Sequence, residues 1–263
     1  MKITKASIGL ILLFVSYCGF ADNQLIIDQA GDNFVLGIEQ TGNLNKTELS
    51  IFGNTNRLWA IQIGNNNTIS WTDSEGSQIA NGGDIAGDYN NLHLEQQCSD
   101  TVCLPNTIGM HISGSRNNIR WGQGVKLDNA TDETFYWDGA DQGGKTLLLD
   151  VHGDDNTVVG WQASGTGNGG SHTANLYLYS NKNTGYIEQR GNLDKLLNIS
   201  TYNSDNEFGV IQQDTAAHQA TITLTGSDPT ILNLIQRGNT AQSYTLFQDC
   251  QTAGGCSVSI TQE

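Results

Sequence analysis

The side chains that could do acid–base or nucleophilic chemistry are sparse in this chain and do not form recognisable sets. Asp154 and Asp155 are an acid pair, but they occupy a predicted turn between Gly153 and Asn156. The five histidines are scattered, and no acid cluster combines with Lys, Arg or His at a recognisable spacing. Catalysis needs such groups within hydrogen-bond reach of one another. The sequence therefore predicts no enzyme, no catalytic residue, no metal ligand and no cofactor.

The first 21 residues have the parts of an export leader. Lys2 and Lys5 form its charged start, residues 8–15 are apolar, and Gly19-Phe20-Ala21 is a small-x-small cleavage site. The apolar stretch is too short to span a bilayer, so we expect no membrane anchor. The sequence thus predicts a signal peptide over residues 1–21 and a secreted mature chain that begins near Asp22.

The five cysteines fit an exported protein. Cys98 with Cys103 and Cys250 with Cys256 form two local pairs, which an oxidising compartment favours as disulfides. A metal site is the alternative, although neither pair has the Cys-x-x-Cys spacing. Cys18 lies in the leader, where a lipoprotein would need a small residue before it and the chain has a tyrosine.

The mature chain is strongly acidic. The leader contains two lysines and no acids, so 12 − 2 = 10 Lys and Arg remain against 27 Asp and Glu, a net charge of −17. Contacts to phosphates require Lys and Arg, and we therefore expect no nucleic-acid partner. Solubility through self-repulsion is the simpler interpretation of this charge, and binding of a specific cation is the alternative.

The elements that position these residues follow from an internal repeat of two short strands. Each second strand alternates apolar and polar residues and ends in glutamine, at nine positions: Gln40, Gln62, Gln96, Gln123, Gln162, Gln189, Gln212, Gln236 and Gln262. A first alternating strand lies 11 residues earlier in most copies, which gives a unit of about 22 residues. A fixed period of this kind indicates stacked units. We predict an all-β fold, a cross-β-like parallel two-sheet β-solenoid of about nine strand-turn-strand coils over residues 22–263.

A glycine and an asparagine recur in the turn between the two strands of a unit. The set comprises Gly31, Gly53, Asn56, Gly114, Asn117, Gly153, Asn156 and Asn183. Glycine adopts positive φ without steric cost, and asparagine tolerates left-handed geometry. We therefore expect tight turns at one edge of the stack. The other edge is expected to accept most of the inserts, which lie near residues 73–88, 97–106, 124–145, 163–174 and 249–256; the first of these falls between the two halves of a coil.

The recurring glutamines have the parity of the inward-facing residues. A buried amide is costly unless it is hydrogen-bonded, and stacked glutamines can bond to one another along the axis, as in cross-β structures. The sequence therefore predicts a glutamine ladder, with solvent-facing strand ends as the alternative. His152, Tyr179 and Tyr202 have equivalent outward positions and predict a short surface stripe, either for packing alone or for binding a sugar or a second filament.

Segments of the repeat resemble the curlin repeat, in which Gln-x-Gly-x-x-Asn precedes a second strand that ends in glutamine. The resemblance is carried by residues 29–33 (QAGDN), 40–45 (QTGNLN), 62–67 (QIGNNN), 189–191 (QRG) and 236–239 (QRGN), and it is close in residues 24–71 and 176–240. It implies a secreted subunit of curli-type amyloid fibres on a bacterial cell surface, serving the biofilm matrix and adhesion. The partners it implies are further copies of this chain, other curlin-type subunits and outer-membrane export machinery, with surface polysaccharide as a further possibility.

The sequence also offers a mechanism of assembly. The ends of a solenoid present unpaired backbone groups, which soluble solenoids normally cap. The repeat runs from Leu25 to Gln262, and we therefore expect end-to-end stacking into a fibre. A monomeric extracellular adhesin or carbohydrate-binding solenoid is the alternative function.

Overall fold

The chain is an all-β solenoid without an α-helix among the residues that the structure describes. The computed structural model describes residues 3–4, 11–15, 24–29, 35–42, 44–52, 57–63, 67–70, 84–97, 104, 106–126, 136–137, 143–164 and 170–263. The strands in chain order are β1 (Ile3–Thr4), β2 (Ile11–Val15), β3 (Gln24–Gln29), β4 (Val35–Thr41), β5 (Lys46–Phe52), β6 (Arg57–Ile63), β7 (Thr68–Ser70), β8 (Asp84–Ala86), β9 (Asn91–Gln97), β10 (Thr107–Ser113), β11 (Asn118–Gln123), β12 (Val125–Lys126), β13 (Tyr136–Trp137), β14 (Thr146–Val151), β15 (Thr157–Ala163), β16 (His172–Leu178), β17 (Thr184–Arg190), β18 (Lys195–Thr201), β19 (Glu207–Gln212), β20 (His218–Gly226), β21 (Thr230–Gln236), β22 (Gln242–Cys250) and β23 (Cys256–Gln262).

Two parallel sheets make up the solenoid, which confirms the predicted fold class. Sheet I has the order β1-β3-β5-β7-β10-β14-β16-β18-β20-β22, with β8 also pairing with β5 and β10. Sheet II has the order β2-β4-β6-β9-β11-β15-β17-β19-β21-β23. Each coil therefore places its first strand in sheet I and its second strand in sheet II, as the repeat predicts.

The core lies between the two sheets because the period-2 alternation sends one side of every strand inward. In β16 and β18 every second residue is buried, and the register aligns Leu176 with Ile199 and then with Ile222. Equivalent apolar residues of neighbouring coils thus stack on one another, and the buried side chains form one continuous cluster along the axis.

Six successive coils, from β10 to β23, have two full strands joined by a described turn. The level before them is split, since β7 and β8 both pair with β5 and β10 and together occupy one strand level of sheet I. The predicted insert at 73–88 therefore interrupts a first strand and does not separate the two halves of the coil. Its last five residues belong to β8 and to the turn that follows.

The other inserts differ in extent from the prediction. Within 124–145, β12 and β13 pair as antiparallel strands, and Val125 belongs to a buried cluster with Trp161 on the outer side of sheet II. The 97–106 insert is shortened because Gln97 completes β9, and the 163–174 insert because β15 ends at Ala163 and β16 begins at His172. The 249–256 insert reduces to a turn at 251–255, as residues 249–250 complete β22 and residue 256 starts β23.

The turn chemistry also differs from the prediction. The left-handed residue is the one before each asparagine: Arg116 has φ 59°, Asp155 has φ 61° and Lys182 has φ 57°. Gly114 and Gly153 are not in the left-handed region; each is needed because a Cβ atom would lie 2.1 Å from Gly153 O and 2.4 Å from Ser180 O, respectively. The tight stacking of coils, rather than positive φ, therefore requires these two glycines. Gly31, Gly53 and Asn56 lie outside the described residues.

Two short strands of the predicted leader add to the stack. β1 pairs in parallel with β3, and β2 pairs in parallel with β4. They pair with the outer edges of β3 in sheet I and β4 in sheet II, the strands of the first coil of the repeat. Cleavage after Ala21 would remove both.

Candidate functional site: the glutamine ladder and the terminal coil

All nine repeat glutamines lie in one column of sheet II, and each is hydrogen-bonded to the next. Register places Gln62 opposite Gln96, Gln96 opposite Gln123, and so on along the sheet. Nε2 of each donor bonds to Oε1 in the following coil, and the eight distances from Gln40–Gln62 to Gln236–Gln262 are 2.6, 3.0, 2.8, 2.9, 2.7, 2.9, 2.8 and 2.8 Å. The ladder is therefore polar, with its donors pointing towards the C-terminal coil.

The second N–H of the amide joins the two sheets within one coil. Gln123 donates to the carbonyl of Thr107 at the start of β10, over 3.0 Å, and Gln212 donates to that of Leu196 over 3.1 Å. Five other ladder residues make the equivalent bond, namely Gln62, Gln96, Gln162, Gln189 and Gln236. Each of these seven glutamines thus ties the end of its second strand to the beginning of its first strand.

Burial explains why the ladder has to be complete. The seven glutamines from Gln62 to Gln236 have no exposed surface. In the dry interior an unpaired amide costs roughly 1–3 kcal/mol, while a chain of paired amides satisfies each member. The inward parity seen in the sequence is therefore compatible with the core only because the repeat spacing brings the amides into register.

A second ladder, of asparagines, lines the turn edge. Oδ1 of Asn117 accepts from the backbone N–H of Asn156 at 2.9 Å, and Oδ1 of Asn156 accepts from that of Asn183 at 2.9 Å. Asn90 precedes this row and Asn206 follows it, with bonds of 3.0 and 3.2 Å. The sequence marked three of these asparagines as turn formers; their buried side chains bond coil to coil.

The opposite inner edge holds a buried basic column that sequence reasoning missed. Register aligns His172 with Lys195 and Lys195 with His218, and Lys145 lies at the equivalent position one coil earlier. The ammonium of Lys195 donates to three backbone carbonyls, the shortest being Ala216 O at 2.6 Å. Nε2 of His172 lies 3.0 Å from Ala163 O. The chain thus buries lysine ammonium groups in its core, where backbone carbonyls of the segments between coils accept their hydrogen bonds.

Burial shifts the protonation of this basic column. Desolvation, helped by the charges of Lys145 and Lys195, lowers the pKa of His172 to about 3. Burial also lowers the pKa of Lys195 to about 8, against the opposing charges of Asp214 and Asp194. His172 is therefore neutral at neutral pH, and its charge does not add to those of the two lysines.

The last coil exposes apolar residues whose register partners in the preceding coil are buried. Leu232 and Leu234 of β21 have no exposed surface, but their register partners Val258 and Ile260 of β23 are only partly buried. In sheet I, Leu246 of β22 is partly buried in the same way, beside the 1 % exposed Ile222. Among the strands that the structure describes, β22 and β23 each pair on one side only, with β20 and β21 respectively. This terminal face is therefore a cross-section of the core, edged by unpaired backbone groups.

The ladder also reaches this face. Gln262 accepts the bond from Gln236, and among the described residues its own Nε2 has no hydrogen-bond acceptor. A disulfide between Cys250 and Cys256 closes the turn that joins β22 to β23. The other predicted pair, Cys98 and Cys103, lies outside the described residues.

The predicted surface stripe stacks on the outer side of sheet I. Ring centroids of His152 and Tyr179 lie 5.4 Å apart and those of Tyr179 and Tyr202 lie 5.3 Å apart, with planes tilted by about 20°. Tyr177 extends the row sideways at 6.3 Å from Tyr179. The rings form a flat, partly exposed aromatic surface across three coils.

Comparison of the chain with models of protein families, with curated proteins and with solved structures finds no match. Among the described residues, no helix has the length and apolar character needed to cross a membrane.

Proposed function

We propose that this chain is a secreted structural subunit that assembles end to end into an extracellular fibre of the curli type. The observation that carries the proposal is the terminal face of β22 and β23, where the core, both sheets and the glutamine ladder meet the surface of the part of the chain that the structure describes. An assembly role in a biofilm matrix and in adhesion is what the resemblance to the curlin repeat adds.

The polarity of the ladder supports one direction of stacking. Donors point towards the C-terminal coil, so Nε2 of Gln262 would donate to the first ladder glutamine of the next copy. Parallel strands of the two chains would then continue both sheets. Stacking by this geometry would cover Leu246, Val258 and Ile260 and pair the free backbone edges, which removes apolar surface from water and satisfies polar groups together.

The leader strands suggest how assembly would be delayed until export. β1 and β2 occupy the edges of β3 and β4, to which an incoming terminal coil would have to add. Removal of residues 1–21 would free both edges. We therefore propose that the mature chain polymerises and that the chain with its leader extends only poorly at this end.

The experiment compares the purified mature chain, residues 22–263, with the chain that retains residues 1–21. Amyloid-dye fluorescence and negative-stain electron microscopy follow both proteins over days at the same concentration. We expect fibres from the mature chain, and slower growth from the longer one. A mature chain that stays monomeric at high concentration would refute the proposal, whereas equal growth of both proteins would refute the role of the leader strands only.

The exposed aromatic stripe favours a second candidate, a monomeric adhesin that binds surface polysaccharide. Tyr179 is 37 % exposed and Tyr202 is 56 % exposed, and flat aromatic rings of this kind pack against sugar rings. The assembly state separates the two candidates. A stable monomer whose polysaccharide binding is lost in Tyr202→Ala would favour the adhesin.

A further inference from the structure

We propose that the outer face of sheet I carries a binding site for a divalent transition-metal ion such as Zn²⁺, formed by His111, Asp150 and His152. Nδ1 of His111 lies 2.9 Å from Oδ1 of Asp150, and Nε2 of His152 lies 2.8 Å from the same oxygen. One ligand atom of each residue lies within 4.8 Å of those of the other two. The site is independent of whether the chain assembles into fibres.

The cluster results from strand register and not from sequence proximity alone. His111 on β10 is the register partner of Asp150 on β14, and His152 lies two residues further on, on the same face. His111 and Asp150 are 39 residues apart in the chain. Because both strands are fixed in the sheet, the three ligand atoms converge on a rigid framework, which limits the entropy lost when an ion binds.

The donor set is one that zinc prefers. Two imidazole nitrogens and one carboxylate oxygen bind Zn²⁺ at about 2.0–2.2 Å in sites that leave a fourth position for water or another ligand. Ligand atoms around a tetrahedral ion at those distances are separated by about 3.3 Å, so each N···O pair here has to open by about 0.5 Å. Exposed fractions of 23 % for the side chain of His111 and 41 % for that of His152 give the ion access from solvent.

A second layer of contacts orients His152 for this role. Oγ of Ser113 lies 2.8 Å from Nδ1 of His152, and Tyr179 stacks on the same ring. The serine hydroxyl can accept a hydrogen bond as well as donate one. It can therefore hold Nδ1–H when the lone pair of Nε2 turns to a metal, as second-layer partners of metal-binding histidines commonly do.

Neighbouring charges do not block the site. Arg116, in the adjacent turn, is paired with Asp155 at 2.6 Å and lies 3.6 Å from Asp154. Asp150 itself is almost fully buried, with a side-chain exposure of 6 %, so its carboxylate is fixed between the two imidazoles. The chain as a whole carries a formal charge of −15, which attracts cations to its surface.

Equilibrium dialysis of the mature chain against micromolar Zn²⁺ at pH 7.5, with metal measured by mass spectrometry, tests the site in soluble or assembled protein alike. We expect one zinc ion per chain, and at least a tenfold rise of the apparent Kd in His152→Gln and in His111→Gln. His93→Gln is the matched control, because His93 lies on the outer side of sheet II, and it should bind as the wild type does. Circular dichroism and melting temperature establish that each variant is folded.

The proposal is overturned if the wild type retains no more zinc than the double variant of His111 and His152, or if His93→Gln loses as much zinc as His152→Gln does. In the first case the cluster is a hydrogen-bonded network only. Ser113→Ala tests the positioning contact: we expect a roughly tenfold weaker affinity, and an unchanged affinity would refute the role assigned to the serine.

Discussion

Replacing one glutamine in the middle of the ladder tests whether the paired amides stabilise the solenoid. In Gln162→Leu, Nε2 of Gln123 loses its acceptor at 2.9 Å and Oε1 of Gln189 loses its donor at 2.7 Å. The carbonyl of Thr146 loses a bond of 3.1 Å, and the indole N–H of Trp121 loses its acceptor, Oε1 of Gln162, at 3.4 Å. The leucine has a similar size and fills the same buried space, so the main change is the loss of these hydrogen bonds.

The magnitude follows from the number of groups left unpaired. Four buried polar groups at about 1.5 kcal/mol each lose about 6 kcal/mol, and burial of the leucine offsets about 2 kcal/mol of that loss. We therefore expect the free energy of unfolding to fall by about 4 kcal/mol. For a chain of this size the melting temperature should fall by roughly 8–16 °C.

The control exchanges the same residue types on the surface. Gln219 lies on the exposed side of β20, and Gln219→Leu should change the free energy of unfolding by no more than about 0.5 kcal/mol. Denaturant and thermal unfolding, followed by circular dichroism, measure both variants. If Gln162→Leu is as stable as Gln219→Leu, the ladder does not contribute the stability assigned to it.

Three further perturbations address the terminal coil and the buried basic column. Ile260→Lys places an unpaired charge on the proposed stacking face and should weaken end addition by about 3 kcal/mol, roughly 100-fold, in a dye-based growth assay. Ile231→Lys, on the exposed side of β21, is the control and should form fibres as fast as the wild type does. Equal growth of the two variants would contradict the proposed stacking face. Reduction of Cys250–Cys256 should destabilise the last coil by roughly 2 kcal/mol, seen as faster hydrogen exchange in β22 and β23 with β16 unchanged as the internal reference. Because the pKa of His172 is lowered in the folded chain, this histidine takes up a proton near pH 6.5 when the chain is unfolded and only near pH 3 when it is folded, so the free energy of unfolding should fall as the pH drops from 6.5 to 3. His172→Gln should make the free energy of unfolding depend less on pH in this range. An unchanged pH dependence in this variant would refute the lowered pKa.

The two-sheet solenoid and the ladder were predictable because both depend on periodicity. Gln123 and Gln162 both lie at inward-facing positions of their strands, and an insert of any length between two coils leaves the alternation within each strand unchanged. The register that brings them to 2.9 Å then follows from stacking equivalent positions. Local alternation and a fixed repeat are therefore enough to place these side chains.

Features that depend on contacts between coils could not be predicted in this way. The insert after Ser70 breaks the alternation of its strand, so the two halves at β7 and β8 are not recognisable as one level. Gly114 looks like a turn former, but its requirement comes from the carbonyl of Gly153 in the next coil. His111 and Asp150 meet only through the register across a long insert, and no local pattern marks them.

The buried lysines are a related case. From the sequence, Lys195 is a charged residue at the start of a strand, a position that is usually exposed to solvent. In the structure it is only 1 % exposed. Its ammonium donates hydrogen bonds to the backbone carbonyls of Leu193, Asp214 and Ala216. The arrangement of these carbonyls depends on the path of the two successive segments that connect one coil to the next. A sequence pattern does not contain that path.

Fibre diffraction and electron cryomicroscopy of the assembled mature chain test the central claim, end-to-end stacking of parallel solenoids, most directly. Sheet II contains nine strands beyond the leader, which at about 4.8 Å per level give a subunit repeat of about 43 Å. We predict fibres with strands perpendicular to the axis, a 4.8 Å spacing and that axial repeat. Fibres with antiparallel strands, with an unrelated repeat, or with subunits joined through the outer sheet faces would contradict the account.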